Sequence, residues 1–179
     1  MSDDYKELLI GCGHSRKKRM GYFDRQEFAN LTTLDMNQEV NPDVVWNLEE
    51  LPYPFPDNEF NEIHAYHVLE HMGQQGDWQF FFNQFYEFWR ILKPKGIMCI
   101  AVPLWNHIWT WGDPGHSRIL GPGCFAYLSQ KEYNDRLPDS EYMTDYRFIW
   151  KGDFDVLLSE AIGDIRGENQ LTVYLEAVK

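Results

Sequence analysis

The chain has 179 residues, 44% of them hydrophobic and 16% aromatic, and a formal net charge of −12. That length predicts one domain, the aromatic content excludes a disordered chain, and the acidic balance argues against a surface that grips bulk nucleic acid through its phosphates. Cys12, Cys99 and Cys124 lie far apart with no C-x-x-C pair, the acidic N-terminus does not read as a signal peptide, and no apolar run is long enough to span a membrane. These features predict free thiols and a cytoplasmic setting with no membrane partner.

Along the chain, "ELLIGC" (7–12) reads as a short buried strand stopped by glycine. Gly11-Cys12-Gly13-His14-Ser15 then forms a turn, with a helix expected after it, and the four basic residues Arg16–Arg19 follow. "LTTLDM" (31–36) is a second strand ending on Asp35, and "PDVVWNL" (42–48) a third, opened by Pro42. The proline-rich "LPYPFPDNEF" (51–60) is a loop. "NEIHAYHVL" (61–69) is a fourth strand that ends near Tyr66. In "QFFFNQFYEFWRIL" (79–92), Phe81, Phe85, Phe88 and Leu92 share one face of a predicted helix, which makes them core; Pro94 and Gly96 are its stop. "GIMCIAVP" (96–103) is a continuous apolar fifth strand.

Strands alternating with helices predict a mostly parallel sheet with helices on both faces. Residues 104–152 break the pattern, being rich in Trp, His, Gly and Pro without a period, although 125–137 reads as a helix. Such a long irregular segment inside a domain reads as a functional insert. Trp105, Trp109 and Trp111 within it serve either as an aromatic pocket or, the favoured reading, as a cover over the open end of the sheet. "LTVYLEAV" alternates and completes a C-terminal antiparallel hairpin. No linker divides the chain, so 1–179 is read as a single domain.

Open α/β sheets bind ligands beyond the carboxyl ends of their strands, where strand order reverses. "LLIGCGHS" fits such a place: Gly11 and Gly13 admit a ligand close to the backbone. Asp35, 22 residues after Gly13 and at the end of the next strand, is positioned to accept hydrogen bonds from ribose hydroxyls. A dinucleotide fingerprint needs a third glycine where this chain has Arg16, which disfavours an NAD-dependent oxidoreductase. A smaller adenosyl cofactor without pyrophosphate is accommodated more readily.

Taken in order, these segments resemble the class I S-adenosylmethionine-dependent methyltransferases over about residues 7–120. "LLIGCGHS" is similar to the family's glycine motif and "TLDMN" to its acidic motif. "DVVWNLEELPYPFPDNEFNEIHAYHVLEHM" resembles the third and fourth strands of a methyltransferase-11-like subgroup, "FWRILKPKGIMCIAVP" its helix and fifth strand, and "GDPGHSR" a D-P-x-H-x-R segment. The resemblance implies a doubly wound, Rossmann-like α/β fold with a seven-stranded sheet in the order 3-2-1-4-5-7-6. It also implies S-adenosyl-L-methionine as cofactor and S-adenosyl-L-homocysteine as product.

By the same resemblance, Gly11 and Gly13 border the methionine part of the cofactor and Asp35 holds the ribose. Asn47 meets the adenine edge, Leu48 packs on the ring, and Tyr66 and His67 end the fourth strand beside the sulfonium. Cys12, a packing thiol rather than a nucleophile, and Met36 complete the cofactor-binding set. One of Arg16–Arg19 is a candidate partner for the cofactor carboxylate, the others being solvated. Ser15, Asn47 and Lys95 depart from the family's usual Gly, Asp and Gly.

Methyl transfer needs an aligned nucleophile and, for most oxygen or nitrogen acceptors, a place for a proton. His116 is the first candidate, as an acid–base or acceptor-positioning residue; the alternative is a structural histidine. Asp113 either fixes its tautomer or caps a turn, Arg118 pairs with an anionic acceptor group or with Asp113, and His67 is the third catalytic candidate. "HVLEH" lacks the H-E-x-x-H order of zinc sites, so no metal is expected, and His71 is read as orienting the helix start. The acceptor is expected to be a small molecule or a protein. A non-catalytic module of the same fold, binding the cofactor for regulation, is the alternative.

Overall fold

The structure, a computed structural model, describes residues 4–21, 26–138, 143–163 and 169–179. Its strands are β1 (Glu7–Ile10), β2 (Leu31–Asp35), β3 (Val44–Val45), β4 (Phe60–Tyr66), β5 (Leu92–Pro103), β6 (Phe154–Gly163) and β7 (Asn169–Ala177). They form one sheet in the order β3-β2-β1-β4-β5-β7-β6. Pairing is parallel from β3 through β5 and antiparallel where β7 joins β5 and β6. The expected strand order is therefore present, with β1 at the reversal between β2 and β4.

One face of the sheet carries the helices. The central helix α1 (Trp78–Ile91) is capped by Asp77, whose carboxylate accepts from the Phe80 amide at 3.0 Å. It buries Phe82, Phe85, Phe88 and Ile91 in the same cluster as Leu8, Ile10, Ile63, Ala65, Ile100 and Val173 of the strands. Alternate residues of a strand point to one side, so this is the inward half of each strand. α1 ends at Ile91 and the chain enters β5 directly at Leu92, so Leu92 is the strand's first residue and not the helix's last. Pro94 accounts for the early stop, because a proline disfavours helical geometry in the residue before it.

The region after β5 holds three short helices: α2 (Ile108–Gly112), α3 (Pro122–Ala126) and α4 (Gln130–Arg136). The single helix expected over 125–137 is thus two, broken at Ser129, whose hydroxyl caps α4 by accepting from the Glu132 amide. Phe125, Tyr133 and Trp150 from this region join the α1 core.

The opposite face differs from expectation. No helix lies between β1 and β2 among the described residues; after the glycine turn the chain has no regular secondary structure and packs onto the sheet through Met20. Along this strap Lys18 and Met20 are buried while Lys17 and Arg19 are exposed, the alternation of an extended segment. Met20 and Phe28 pack against Leu9, Ile97, Cys99 and Ala101. The strap is fixed by charge. Lys18 Nζ lies 2.5 Å from Glu7 Oε1 and 2.8 Å from Glu62 Oε2, and all three side chains are at most 1% exposed. Glu7 also accepts from the Ala29 amide, Glu62 from the Tyr5 hydroxyl at 2.6 Å, and His64 Nε2 lies 2.9 Å from Glu62. Two strand carboxylates facing inward demand a buried cation, and an extended strap delivers Lys18 to them.

Candidate active site

Two clusters occupy the carboxyl ends of β1, β2, β4 and β5. The first is the glycine turn. Gly11 has φ +58° and Gly13 φ +52°, the left-handed region that favours glycine. A Cβ at Gly11 lies 2.2 Å from Val68 Cγ2, so glycine lets the turn and the end of β4 meet. A Cβ at Gly13 meets nothing within 4 Å, which leaves open space above that peptide. The Gly13 amide donates to Asp35 Oδ2 and the Asn37 amide to Asp35 Oδ1, both at 2.9 Å. One carboxylate is thereby fixed against the turn, and each oxygen keeps lone pairs for a ligand's hydroxyls.

Around Asp35 the other predicted residues fall into two kinds. Met36 is 70% exposed beside it. Asn47 Oδ1 accepts from the Glu49 amide at 3.1 Å, an Asx turn that leaves the side-chain NH2 free to donate. Leu48, by contrast, is buried in the α1 core and its carbonyl accepts from Tyr53, so its side chain supports the turn from beneath and presents no apolar face to a ring. Cys12 is buried, and burial pushes its thiol pKa up, which fits a packing thiol. Tyr66 also points inward: its hydroxyl lies 2.8 Å from His64 Nδ1 and accepts from the Met20 amide, tying strap to sheet.

The four basic residues divide their roles. Arg16 donates to the carbonyls of Gly13 (2.6 Å) and Val40 (2.9 Å), closing the turn onto the one-turn 3-10 helix Gln38–Val40. Lys18 is the buried ion described above, not a solvated charge. Arg19 is exposed and sits over the Tyr66 ring at 5.8 Å, and Lys17 is exposed. Glu7 and Glu62, each at the start of an apolar run, are brought side by side on β1 and β4, and together they need the counter-charge that Lys18 supplies.

The second cluster joins β4 to the segment after α2. His67, at φ +53°, follows β4; its Nε2 lies 3.1 Å from Gln170 and its Nδ1 3.4 Å from Glu70 Oε1. Glu70 and His71 form the one-turn 3-10 helix Leu69–His71. The Glu70 carbonyl accepts from the amides of Ser117 and Arg118, and Arg118 Nε donates to the Leu69 carbonyl at 2.8 Å. "HVLEH" and "GDPGHSR" are therefore stapled together through backbone. His116 Nε2 comes to 3.8 Å from Asp113 Oδ2 and 3.9 Å from Glu70 Oε1. Glu70, which was not singled out in the sequence, lies between the two predicted histidines. The adjacent carboxylate raises the His67 pKa against the opposing effect of burial. Asp113 ends α2 and accepts from the Gly115 amide at 2.8 Å, while Arg118 pairs with Gln84 and not with Asp113. Trp105, Trp109 and Trp111 are 61%, 59% and 73% exposed, which does not fit an enclosed aromatic pocket.

Residues 8–100, just over half of the chain, match the methyltransferase domain family. No curated protein matches the chain. Among solved structures, a SAM-dependent methyltransferase from Archaeoglobus fulgidus is 14% identical, with 97% of this chain and 86% of that one covered at a TM-score of 0.59. The N-methyltransferase NodS from Bradyrhizobium japonicum is 11% identical, with 98% and 86% covered at 0.56. The 1,6-didemethyltoxoflavin-N1-methyltransferase of Burkholderia thailandensis, solved with its substrate and S-adenosylhomocysteine, is 15% identical, with 97% and 71% covered at 0.57. At these identities the likeness is one of fold.

Proposed function

The chain belongs to the methyltransferase domain family, and on that premise we propose that it is S-adenosylmethionine-dependent and methylates a nucleophilic O, N or C of a small-molecule acceptor. When bound, S-adenosylmethionine supplies an electrophilic methyl group, which forms a bond to the acceptor as the C–S bond breaks and S-adenosylhomocysteine is left. The observation that carries the cofactor placement is Asp35: its carboxylate is held 2.9 Å from the Gly13 amide, beside open space, at the reversal of strand order. The residues fit the group. Asp35 takes the ribose hydroxyls, Gly11, Cys12 and Gly13 supply the floor under the methionine part, and Asn47 donates its free NH2 to the adenine edge with Met36 packing alongside. Arg19 is the member of the basic cluster with an exposed guanidinium at this end, and we assign it the cofactor carboxylate.

The acceptor side is the second cluster. His67 lies at the end of β4, next to the place of the sulfonium, and His116 with Asp113 bounds the space beyond it. His116 and Asp113 orient the acceptor, and His67 provides for its proton. The net charge of −12 disfavours a polyanionic acceptor and supports a small molecule. No helix among the described residues is long and apolar enough to cross a membrane.

Calorimetry tests the cofactor reading: S-adenosylhomocysteine should bind saturably, and Asp35→Ala should weaken it by about tenfold or more, the scale of a lost charged hydrogen bond. Absence of binding at millimolar ligand refutes it.

A further inference from the structure

We propose that Glu70, His71 and His116 form a divalent-cation site at the acceptor end of the sheet. The sequence order of "HVLEH" gave no reason to expect one, because the third donor arrives from beyond β5. A carboxylate oxygen of Glu70 and one imidazole nitrogen from each histidine lie within 4.8 Å of one another. Glu70 is 3% exposed, and neither of its carboxylate oxygens has a hydrogen-bond partner among the described residues. A buried carboxylate without hydrogen bonds is costly and calls for a cation. Two imidazoles face it at longer range, with His67 Nδ1 and His116 Nε2 3.4 and 3.9 Å from Glu70 Oε1.

The histidines are also set as ligands. Nδ1 of His71 lies 3.1 Å from the Gly115 carbonyl and Nδ1 of His116 lies 3.2 Å from the Thr110 carbonyl. A carbonyl only accepts, so each neutral ring carries its proton on Nδ1 and its lone pair on Nε2. Backbone partners of this kind fix the tautomer of metal-binding histidines. Asp113 Oδ2, 3.8 Å from His116 Nε2, is within reach as a fourth donor. His71 is exposed, which leaves the site open on one side. Two imidazoles and a carboxylate suit Zn²⁺, Mn²⁺, Fe²⁺ or Co²⁺ better than Mg²⁺ or Ca²⁺, which prefer all-oxygen shells. Among the described residues one other group has similar geometry, Glu62, His64 and Cys99, and there the Lys18 ammonium already takes the cation's place. In a step that rests on the methyltransferase reading, the open positions of the ion take an oxygen donor of the acceptor.

The test uses the full chain, stripped with chelator and titrated with Co²⁺ by optical spectroscopy without any cofactor. One equivalent should bind saturably. Glu70→Gln, His71→Ala and His116→Ala should each weaken binding at least tenfold, and His107→Ala should leave it within twofold. Acetohydroxamate, a bidentate oxygen donor, should shift the visible bands. Should a variant fail to fold, anomalous diffraction from Co²⁺-soaked wild-type crystals decides the matter, with a peak between the three side chains expected. Absence of saturable binding, wild-type affinity in Glu70→Gln, a Co²⁺–thiolate charge-transfer band from Cys99, or an anomalous peak elsewhere overturns the site; unshifted bands overturn the oxygen-donor step. Titration of S-adenosylhomocysteine in chelator reads the cofactor site separately, so the two failures are distinguishable.

Discussion

The two faces of the sheet are built on different principles. The α1 face is an apolar core of interlocking aromatic rings, with Phe85 at its centre in edge-to-face contact with Phe88 and Phe125. The strap face is covered by one extended segment whose anchor is a buried ion group, Lys18 between Glu7 and Glu62. An apolar core loses stability in proportion to what is removed from it. A buried ion group fails when any one member is lost, because the remaining charges are stranded. The same strap begins at the glycine turn, so the second kind of construction couples cover to cofactor site: Tyr66 and Lys18 hold the segment that Arg16 ties back to Gly13. Stability on one face is thus separable from ligand binding, and on the other it is not.

The largest expected effect comes from breaking the ion group. Lys18→Ala should cost about 3–5 kcal/mol in denaturant unfolding and reduce S-adenosylhomocysteine affinity more than tenfold. Replacing all three members by apolar residues, Lys18→Met with Glu7→Leu and Glu62→Leu, should recover most of the stability. The matching change on the other face, Phe85→Ala, should also cost about 3–5 kcal/mol by leaving a cavity. Under conditions where it stays folded, its cofactor affinity should remain within about twofold of wild type. Equal losses of affinity in the two single variants would erase the distinction between the faces.

Gly11→Ala should have a smaller effect on stability, about 1–2 kcal/mol, from left-handed strain and the clash with Val68. It should lower cofactor affinity strongly, since turn and β4 end are forced apart.

Acid should separate the faces without mutation. Burial alone pushes the Glu62 carboxyl up, but contacts with His64, Lys18 and Tyr5 outweigh it and hold the carboxyl well below its usual range. Glu7 is likewise lowered, by His64, the Ala29 amide and Lys18 against the same burial. A carboxylate with a lowered folded pKa contributes stability that is present above its unfolded pKa, about 4.3, and is lost as pH falls through the folded value. The lysine acts in the opposite sense. Burial lowers its pKa, Glu62 and Glu7 raise it further, and its contribution is lost only as pH rises through that raised value. The charged and titratable groups facing the carboxylates are Lys18 on the strap, His64 on β4 and Tyr5 before β1, with Cys99 on β5 beside them. Amide exchange in residues 15–20 should therefore accelerate below about pH 4.5 while α1 stays protected. Simultaneous loss of protection would show that the strap has no independent anchor.

What could be read in the sequence was whatever local pattern dictates. Strand–helix alternation gave a mostly parallel sheet, the family resemblance carried by the motifs gave its order, and the period of α1 gave its aromatic stripe. The glycine turn and Asp35 were visible because turn geometry and an acid at a strand end leave marks within a few residues. The strap was missed because a run of four basic residues looks solvated until Glu7 and Glu62, far apart in sequence, are seen side by side on β1 and β4. Leu48 is buried against the α1 core, a packing its local sequence does not reveal. Glu70 is visible between His67 and His71, but a role for it depends on His116, which only the fold brings near. Pairings across the sheet and burial of side chains are long-range facts, and period and spacing do not encode them.

The most direct test of the cofactor placement is amide chemical-shift mapping of the folded chain titrated with S-adenosylhomocysteine. The largest shifts should fall on Gly11–Gly13, Asp35–Asn37 and Asn47, with the Gly13 and Asn37 amides responding together because both donate to Asp35. Shifts that avoid this turn and gather on α1 and α3 would contradict the account.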